Sequence, residues 1–218
     1  MLNVQRFVFN PFMENTYLIW DDYNKNAAII DPGCFNKTEN EKVKSFIQRN
    51  KLNLLYLINT HCHIDHIFGN AFIKETFDCK FLAPELDVFL LDMMIDQASN
   101  YGVDFTPSPK PDEFISEDIE LEIGLFDGTF IFTPGHSPGG FSLYFEEPQI
   151  CFTGDTLFKE NIGRTDLWGG DYDQLIDSIK NKILVLPPEV KIFPGHENSS
   201  TIGNEIMNNP FLKNDGQF

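Results

Sequence analysis

Four separate apolar runs in this chain each end on a side chain that can bind a metal ion. LLYLINTH ends on His61, FIFTPGH on His136, ICFTGD on Asp155 and KIFPGH on His196. Runs this short and apolar suit buried strands. In three of the four a glycine stands directly before the donor (Gly135, Gly154 and Gly195), where it lets the chain turn sharply at the end of the strand. Any fold that satisfies this pattern must bring several strand ends to one edge of a sheet, the usual place for a site in an α/β protein.

The first donor opens a dense cluster, His61-Cys62-His63-Ile64-Asp65-His66. Imidazole nitrogen and carboxylate oxygen are ligands that zinc, iron and manganese accept. A histidine alone is more often a packed or solvated residue than a ligand. Here all 5 histidines lie in the hexapeptide or at a strand end, so the metal reading outweighs coincidence. Seven donors are too many for one tetrahedral ion and suit two that share a carboxylate. In extended chain, residues two apart point the same way, so His61 and His63 are expected to share one ion. Asp65 and His66, on the turn into the next helix, would face the other. Alternation turns Cys62 away into the interior, and Cys34 is expected to pack or to lie near the site.

The strands expected from pattern are Val4–Phe9, Thr16–Trp20, Ala27–Ile30, Leu54–Ile58, Ile119–Ile123, Thr129–Phe132, Phe141–Phe145, Ile150–Phe152 and Val190–Phe193. Helices are expected over Lys37–Asn50, Ile67–Phe77, Pro84–Tyr101, Asp171–Leu186 and Thr201–Met207, with a proline-rich connection at Phe105–Phe114. This mixture, antiparallel hairpins included, points to an α/β sandwich rather than a doubly wound parallel sheet. No linker divides the chain, so residues 1–218 read as one domain.

Composition excludes more than it assigns. A formal net charge of −17, with Arg6, Arg49 and Arg164 the only arginines, argues against nucleic-acid binding, which depends on basic side chains at phosphates. Hydrophobic residues make up 42%, with 22 phenylalanines, yet no stretch approaches the roughly 20 apolar residues needed to cross a bilayer. The N-terminus MLNVQRFVFN alternates like a strand, unlike a signal peptide. Four scattered cysteines form no disulfide framework. A cytoplasmic protein with no membrane partner is expected.

Taken together, THCHIDH, PGHSPGG, TGDTLF and PGHE resemble, in order and spacing, the motifs of the metallo-β-lactamase superfamily. The resemblance runs from about Asn15 to the C-terminus. It implies a four-layer αββα sandwich with two metal ions at one edge, zinc by default and iron or manganese as alternatives. His61, His63 and His136 would hold the first ion, Asp65, His66 and His196 the second, and Asp155 would bridge them.

Within that superfamily TGDTLF, GRTD and PGHE look most like the short form of the glyoxalase II group, the hydroxyacylglutathione hydrolases. The chain ends 22 residues after His196, too few for the helical C-terminal domain that helps longer members hold glutathione. The implied reaction is cleavage of a small-molecule thioester of the S-lactoylglutathione type by a metal-bridging hydroxide. Asp65 would orient the nucleophile and receive its proton. Arg164 in GRTD is the candidate for an anionic substrate group, with pairing to Asp166 as its structural alternative. Thr60 is expected to brace His61. Phe12, Met94 and Trp168 are candidates for a substrate cleft, although core packing is the stronger expectation for each. The persulfide dioxygenases share the hexapeptide and GRTD but bind one iron, a role for which His61, His136 and Asp155 would serve. Lactone and phosphodiester hydrolysis also occur on this fold.

Overall fold

The computed structural model describes residues 1–101 and 106–213, with side chains described outside 95–101. Two six-stranded sheets carry the architecture. The first runs β1 (Leu2–Phe9), β2 (Glu14–Asp21), β3 (Asn26–Ile30), β4 (Asn53–Ile58), β5 (Lys80–Pro84) and β6 (Glu113–Ile115), in that order. Its first three strands are antiparallel, and β3 to β6 are parallel. The chain then builds the second sheet from β7 (Glu120–Ile123), β8 (Phe126–Phe132), β9 (Phe141–Phe145) and β10 (Ile150–Gly154). A small hairpin of β11 (Leu157–Phe158) and β12 (Asn161–Ile162) follows, before β13 (Lys191–Pro194) and β14 (Ser200–Thr201) complete that sheet. Its order is β14-β13-β10-β9-β8-β7, with β10 and β13 parallel.

Helices α1 (Lys37–Arg49), α2 (Ile64–Ile67), α3 (Asn70–Thr76) and α4 (Val88–Tyr101) join the parallel strands of the first sheet. Helix α5 (Tyr172–Ser178) lies between β12 and β13, and α6 (Ile202–Asn208) and α7 (Pro210–Lys213) follow β14. The layering is visible in how each strand divides its side chains. Ala27, Ile29, Leu57 and Phe81 pack outward with Val43, Ile47 and Leu90 of the helices. Their neighbours Ala28, Ile30, Ile58 and Leu82 point inward, against Phe130, Leu143 and Phe152 of the other sheet. Cys151 and Ile192 repeat the pattern on the far side with Leu175, Ile179 and Ile202. A strand buried on both faces reads as a continuous apolar run, which is why these strands were legible without alternation. The arrangement is the expected αββα sandwich.

Side-chain caps start three of the helices. Asn36 caps α1 through Glu39 N, Asp171 caps α5 through Gln174 N, and Thr201 caps α6 through Asn204 N. Three expectations change. The single helix expected over Ile67–Phe77 is two, α2 and α3, separated at Gly69. A Cβ at Gly69 would lie 2.5 Å from Cys34 Sγ and 2.7 Å from the Pro32 carbonyl, so the chain is pressed against the β3 turn there. The helix expected from Pro84 starts at Val88, because Lys80–Pro84 is a strand and Glu85–Asp87 a 3₁₀ turn. That strand is only five residues long and ends in proline, with no turn signal before it. The Asp171–Leu186 helix gives way to a π turn at Ile179–Ile183. The proline-rich connection is irregular chain over 106–112, and Phe105 lies outside the described residues. Among the described residues no helix is long and apolar enough to cross a membrane.

Candidate metal centre

Strand direction brings the donors together. β3 and β4 are parallel and end side by side, at Asp31 and just before His61. In the second sheet β8, β10 and β13 run the same way and end just before His136, Asp155 and His196. Hydrogen bonds join the two edges: Phe141 N–H to the Thr60 carbonyl at 2.9 Å, and Asn15 N–H to the Gly195 carbonyl at 2.7 Å. Gly154 sits at φ 48°, a left-handed turn that aims Asp155 at the cluster.

All seven residues expected as ligands meet at this edge. His61, His63 and His136 offer atoms within 4.8 Å of one another, as do Asp65, His66 and His196. Each triad could hold a divalent ion. Asp155 lies between them: its Oδ2 is 3.5 Å from His136 Nε2 and 3.4 Å from His196 Nε2, and its Oδ1 is 3.5 Å from His66 Nε2. His63 Nδ1 and His136 Nε2 approach to 2.8 Å.

The outward ring nitrogens show how the inward ones are oriented. His61 Nδ1 lies 3.1 Å from Thr60 Oγ1, His136 Nδ1 2.7 Å from the Arg164 carbonyl, and His196 Nδ1 3.2 Å from the Phe12 carbonyl. His66 Nδ1 is 3.2 Å from Asp31 Oδ2. In His61, His136 and His196 an N–H directed at the neighbouring oxygen leaves Nε2 a lone pair facing the cluster, the arrangement that metal-binding histidines use. His61 Nε2 is buried with no hydrogen-bond partner, as an imidazole poised to accept a cation would be.

The electrostatics agree. Burial, with help from neighbouring imidazoles, holds His61 well below the ordinary histidine range, and burial with His136 pushes His63 down to about 3. Both therefore keep their lone pairs at neutral pH. Burial also opposes charge on His66, yet the adjacent carboxylates of Asp65, Asp155 and Asp31 outweigh it and raise its pKa well above normal. Burial disfavours the Asp155 carboxylate, but His66, His196 and His136 hold it well below the usual range. Positive charge is stabilised at this point of the fold, and the donor set suits a cation.

Asp31, directly after β3, orients the first turn. Its Oδ1 accepts from Thr60 N–H at 2.7 Å and its Oδ2 from Thr60 Oγ1 at 2.6 Å, while it faces His66 from behind. Asp31 follows the apolar run AAII, the same strand-end signal that marks His61 and Asp155, and so was discoverable in the sequence. Cys62 and Cys34 pack into the outer core.

A cavity of about 380 Å³ opens over the cluster. Phe12, Ile64, Phe158, Asn161, Ile162, Leu167 and Trp168 line it beside five of the donors, with Arg164 its only Lys or Arg among the described residues. Phe12 and Trp168 thus face the cleft rather than the core, whereas Met94 is fully buried in the outer core. Arg164 lines the cavity and also forks onto Asp166, with both hydrogen bonds at 2.7 Å.

Gly195 shows how closely the turn fits. A Cβ there would stand 2.2 Å from Asp155 Oδ1 and 2.6 Å from His66 Cε1. Gly195→Ala must spread the donors, and we expect it to weaken metal binding about 10- to 100-fold, the scale of a disturbed ligand support. Titration of the metal-free variant measures this, and wild-type affinity would refute it.

The family model described as the metallo-beta-lactamase superfamily matches residues 9–196. Hydroxyacylglutathione hydrolase GloC of Haemophilus influenzae is 38% identical over 213 residues, covering 97% of this chain and 98% of that protein. Among solved structures, BLEG-1 B3 metallo-beta-lactamase superposes with a TM-score of 0.88 at 35% identity, covering 98% of this chain and 100% of that one. TTHA1623 in a di-iron-bound form gives 0.85 at 34% identity, covering 96% and 100%.

Proposed function

The chain belongs to the metallo-β-lactamase superfamily, and from that premise we propose that it is a metal-dependent thioesterase acting on small-molecule substrates of the hydroxyacylglutathione type. The observation that carries this reading is the convergence of seven donors at one sheet edge, with His63, Asp65, His136, Asp155 and His196 lining an open cavity. The similarity to GloC over nearly the whole of both chains supports the substrate class.

In this reading His61, His63 and His136 hold one ion, Asp65, His66 and His196 a second, and Asp155 is shared. Zinc is our assignment, with iron or manganese as chemical alternatives. Held there, such ions would lower the pKa of a water and polarise a carbonyl. The chain does the rest. Asp65 Oδ2, 3.2 Å from His196 Nε2, orients the attacking water and accepts its proton. Phe12, Phe158 and Trp168 exclude solvent around the thioester, and the thiolate departs without a dedicated acid.

Arg164 meets an anionic group of the substrate at the cavity wall. Its guanidinium is well exposed, so the contact is worth only about 0.5–1 kcal/mol. We therefore expect Arg164→Ala to raise KM for S-lactoylglutathione about 2- to 5-fold with kcat unchanged. Because His136 bonds the Arg164 main-chain carbonyl, metal content should not change. An unaltered KM removes Arg164 from the substrate contacts.

The deciding experiment measures turnover of S-lactoylglutathione beside other thioesters, a lactone, a β-lactam and a phosphodiester, with metals quantified in the same preparation. About two ions per chain and preferential thioester cleavage support the proposal. One iron per chain with oxygen uptake on glutathione persulfide would replace it with the dioxygenase reading.

A further inference from the structure

Two fully buried polar side chains outside the donor set each fasten a ligand-bearing turn, one on each side of the cluster. Asn15, at the start of β2, holds the turn Pro194-Gly195-His196-Glu197. Its side-chain Nδ2 donates to the carbonyls of Pro194 and Glu197, both at 2.9 Å, and its own N–H reaches the Gly195 carbonyl at 2.7 Å. One residue thus bonds three of the four carbonyls of the turn that carries His196. The turn needs that hold, because Glu197 sits at φ 64°, a left-handed conformation unfavourable for a residue with a side chain. Tyr17 Oη, donating to Pro194 O at 2.7 Å, adds a second tether.

Asp87, in the 3₁₀ turn before α4, does the same on the other side. Its Oδ2 accepts from Cys62 N–H at 3.2 Å and from Ser137 Oγ at 2.7 Å, and its Oδ1 from Gly139 N–H at 2.6 Å. Cys62 lies between His61 and His63, and Ser137 follows His136. A single carboxylate therefore ties the HCH segment to the His136 turn. Buried carboxylates are tolerated where donors such as these satisfy them.

We propose that Asn15 and Asp87 are positioning residues for separate halves of the centre, Asn15 for His196 and hence the second ion, Asp87 for His61, His63 and His136 and hence the first. Neither contacts a ligand nitrogen, so each acts through the backbone of the turn it holds. The inference rests on the two-ion reading, and its test distinguishes failure of the one from failure of the other.

The test titrates metal-free protein with Zn2+ by calorimetry and with Co2+ by absorption and hyperfine-shifted NMR, which assigns each ion to its histidines. Asn15→Ala should retain one ion at wild-type affinity, with the His61 and His136 signals intact, and lose the other about 10- to 100-fold. Asp87→Asn should give the reverse. Each variant controls for the other, since a general loss of stability would weaken both ions together. If either variant fails to fold, Tyr17→Phe and Ser137→Ala each delete one bond of the same two clamps and should reproduce the pattern at smaller amplitude. Equal weakening of both ions in both variants, or of neither, overturns the proposal. A wild-type chain that binds a single ion overturns the two-ion reading instead, and the Asp87 assignment then survives only if Asp87→Asn weakens that ion and Asn15→Ala does not.

Discussion

Replacing Asp65 by asparagine should lower kcat for thioester hydrolysis by about 10²- to 10⁴-fold, the usual worth of a general base, while the protein still folds. Asparagine keeps the shape and one ligand oxygen, but it cannot accept a proton. The position is set by main-chain contacts that the substitution leaves alone: Asp65 lies in α2, and its carbonyl accepts from Asn10 Nδ2 at 2.9 Å. The folding cost should stay near 1 kcal/mol, so the unfolding midpoint of the metal-free variant should move only about 2–4 °C. The informative comparison is made at matched metal content. A variant with two bound ions and wild-type turnover would show that Asp65 neither orients nor deprotonates the nucleophile.

Removal of metal with a chelator should abolish hydrolysis and lower the unfolding midpoint by about 8–16 °C. Ligands that bind only the folded state stabilise it by about 4 kcal/mol at a free concentration 1,000 times Kd, and a chain of this size shifts about 2–4 °C per kcal/mol. The stripped protein should nonetheless unfold cooperatively, because its three apolar cores are built from strand and helix side chains packed on one another rather than from the donors. What it loses is compensation for carboxylates crowded around His66: Asp31, Asp65 and Asp155 approach its ring to 3.2, 3.7 and 3.5 Å. Scanning calorimetry before and after chelation, followed by restoration with Zn2+, measures the effect. A stripped protein with unchanged midpoint and full thioesterase activity would refute the metal-dependent mechanism.

Some of the site was legible because local sequence encodes it. The hexapeptide and the three glycine-preceded donors sit at the ends of apolar runs, and strand ends are recognisable from a handful of neighbouring residues. Asp31 carries the same mark, but the proline and glycine after it read as a plain turn. Phe12 and Trp168 illustrate the opposite limit. An exposed aromatic over a cavity and a buried one in a core look alike in a chain with 22 phenylalanines, and only the surrounding fold separates them. Strand β5 escaped because four buried residues after an exposed lysine, ending in proline, carry no period.

Sequence alone determined which side chains could bind a metal, that four of them end apolar strands, and that strands and helices alternate as in an α/β sandwich. Each of these properties depends on residues within a few positions of one another. Tertiary structure decided which donors face which, that Asp155 lies between two triads, and that Asn15 and Asp87 hold the turns. Those contacts join residues 179 and 50 positions apart. No local periodicity encodes such pairings; the packing of two sheets against each other selects them.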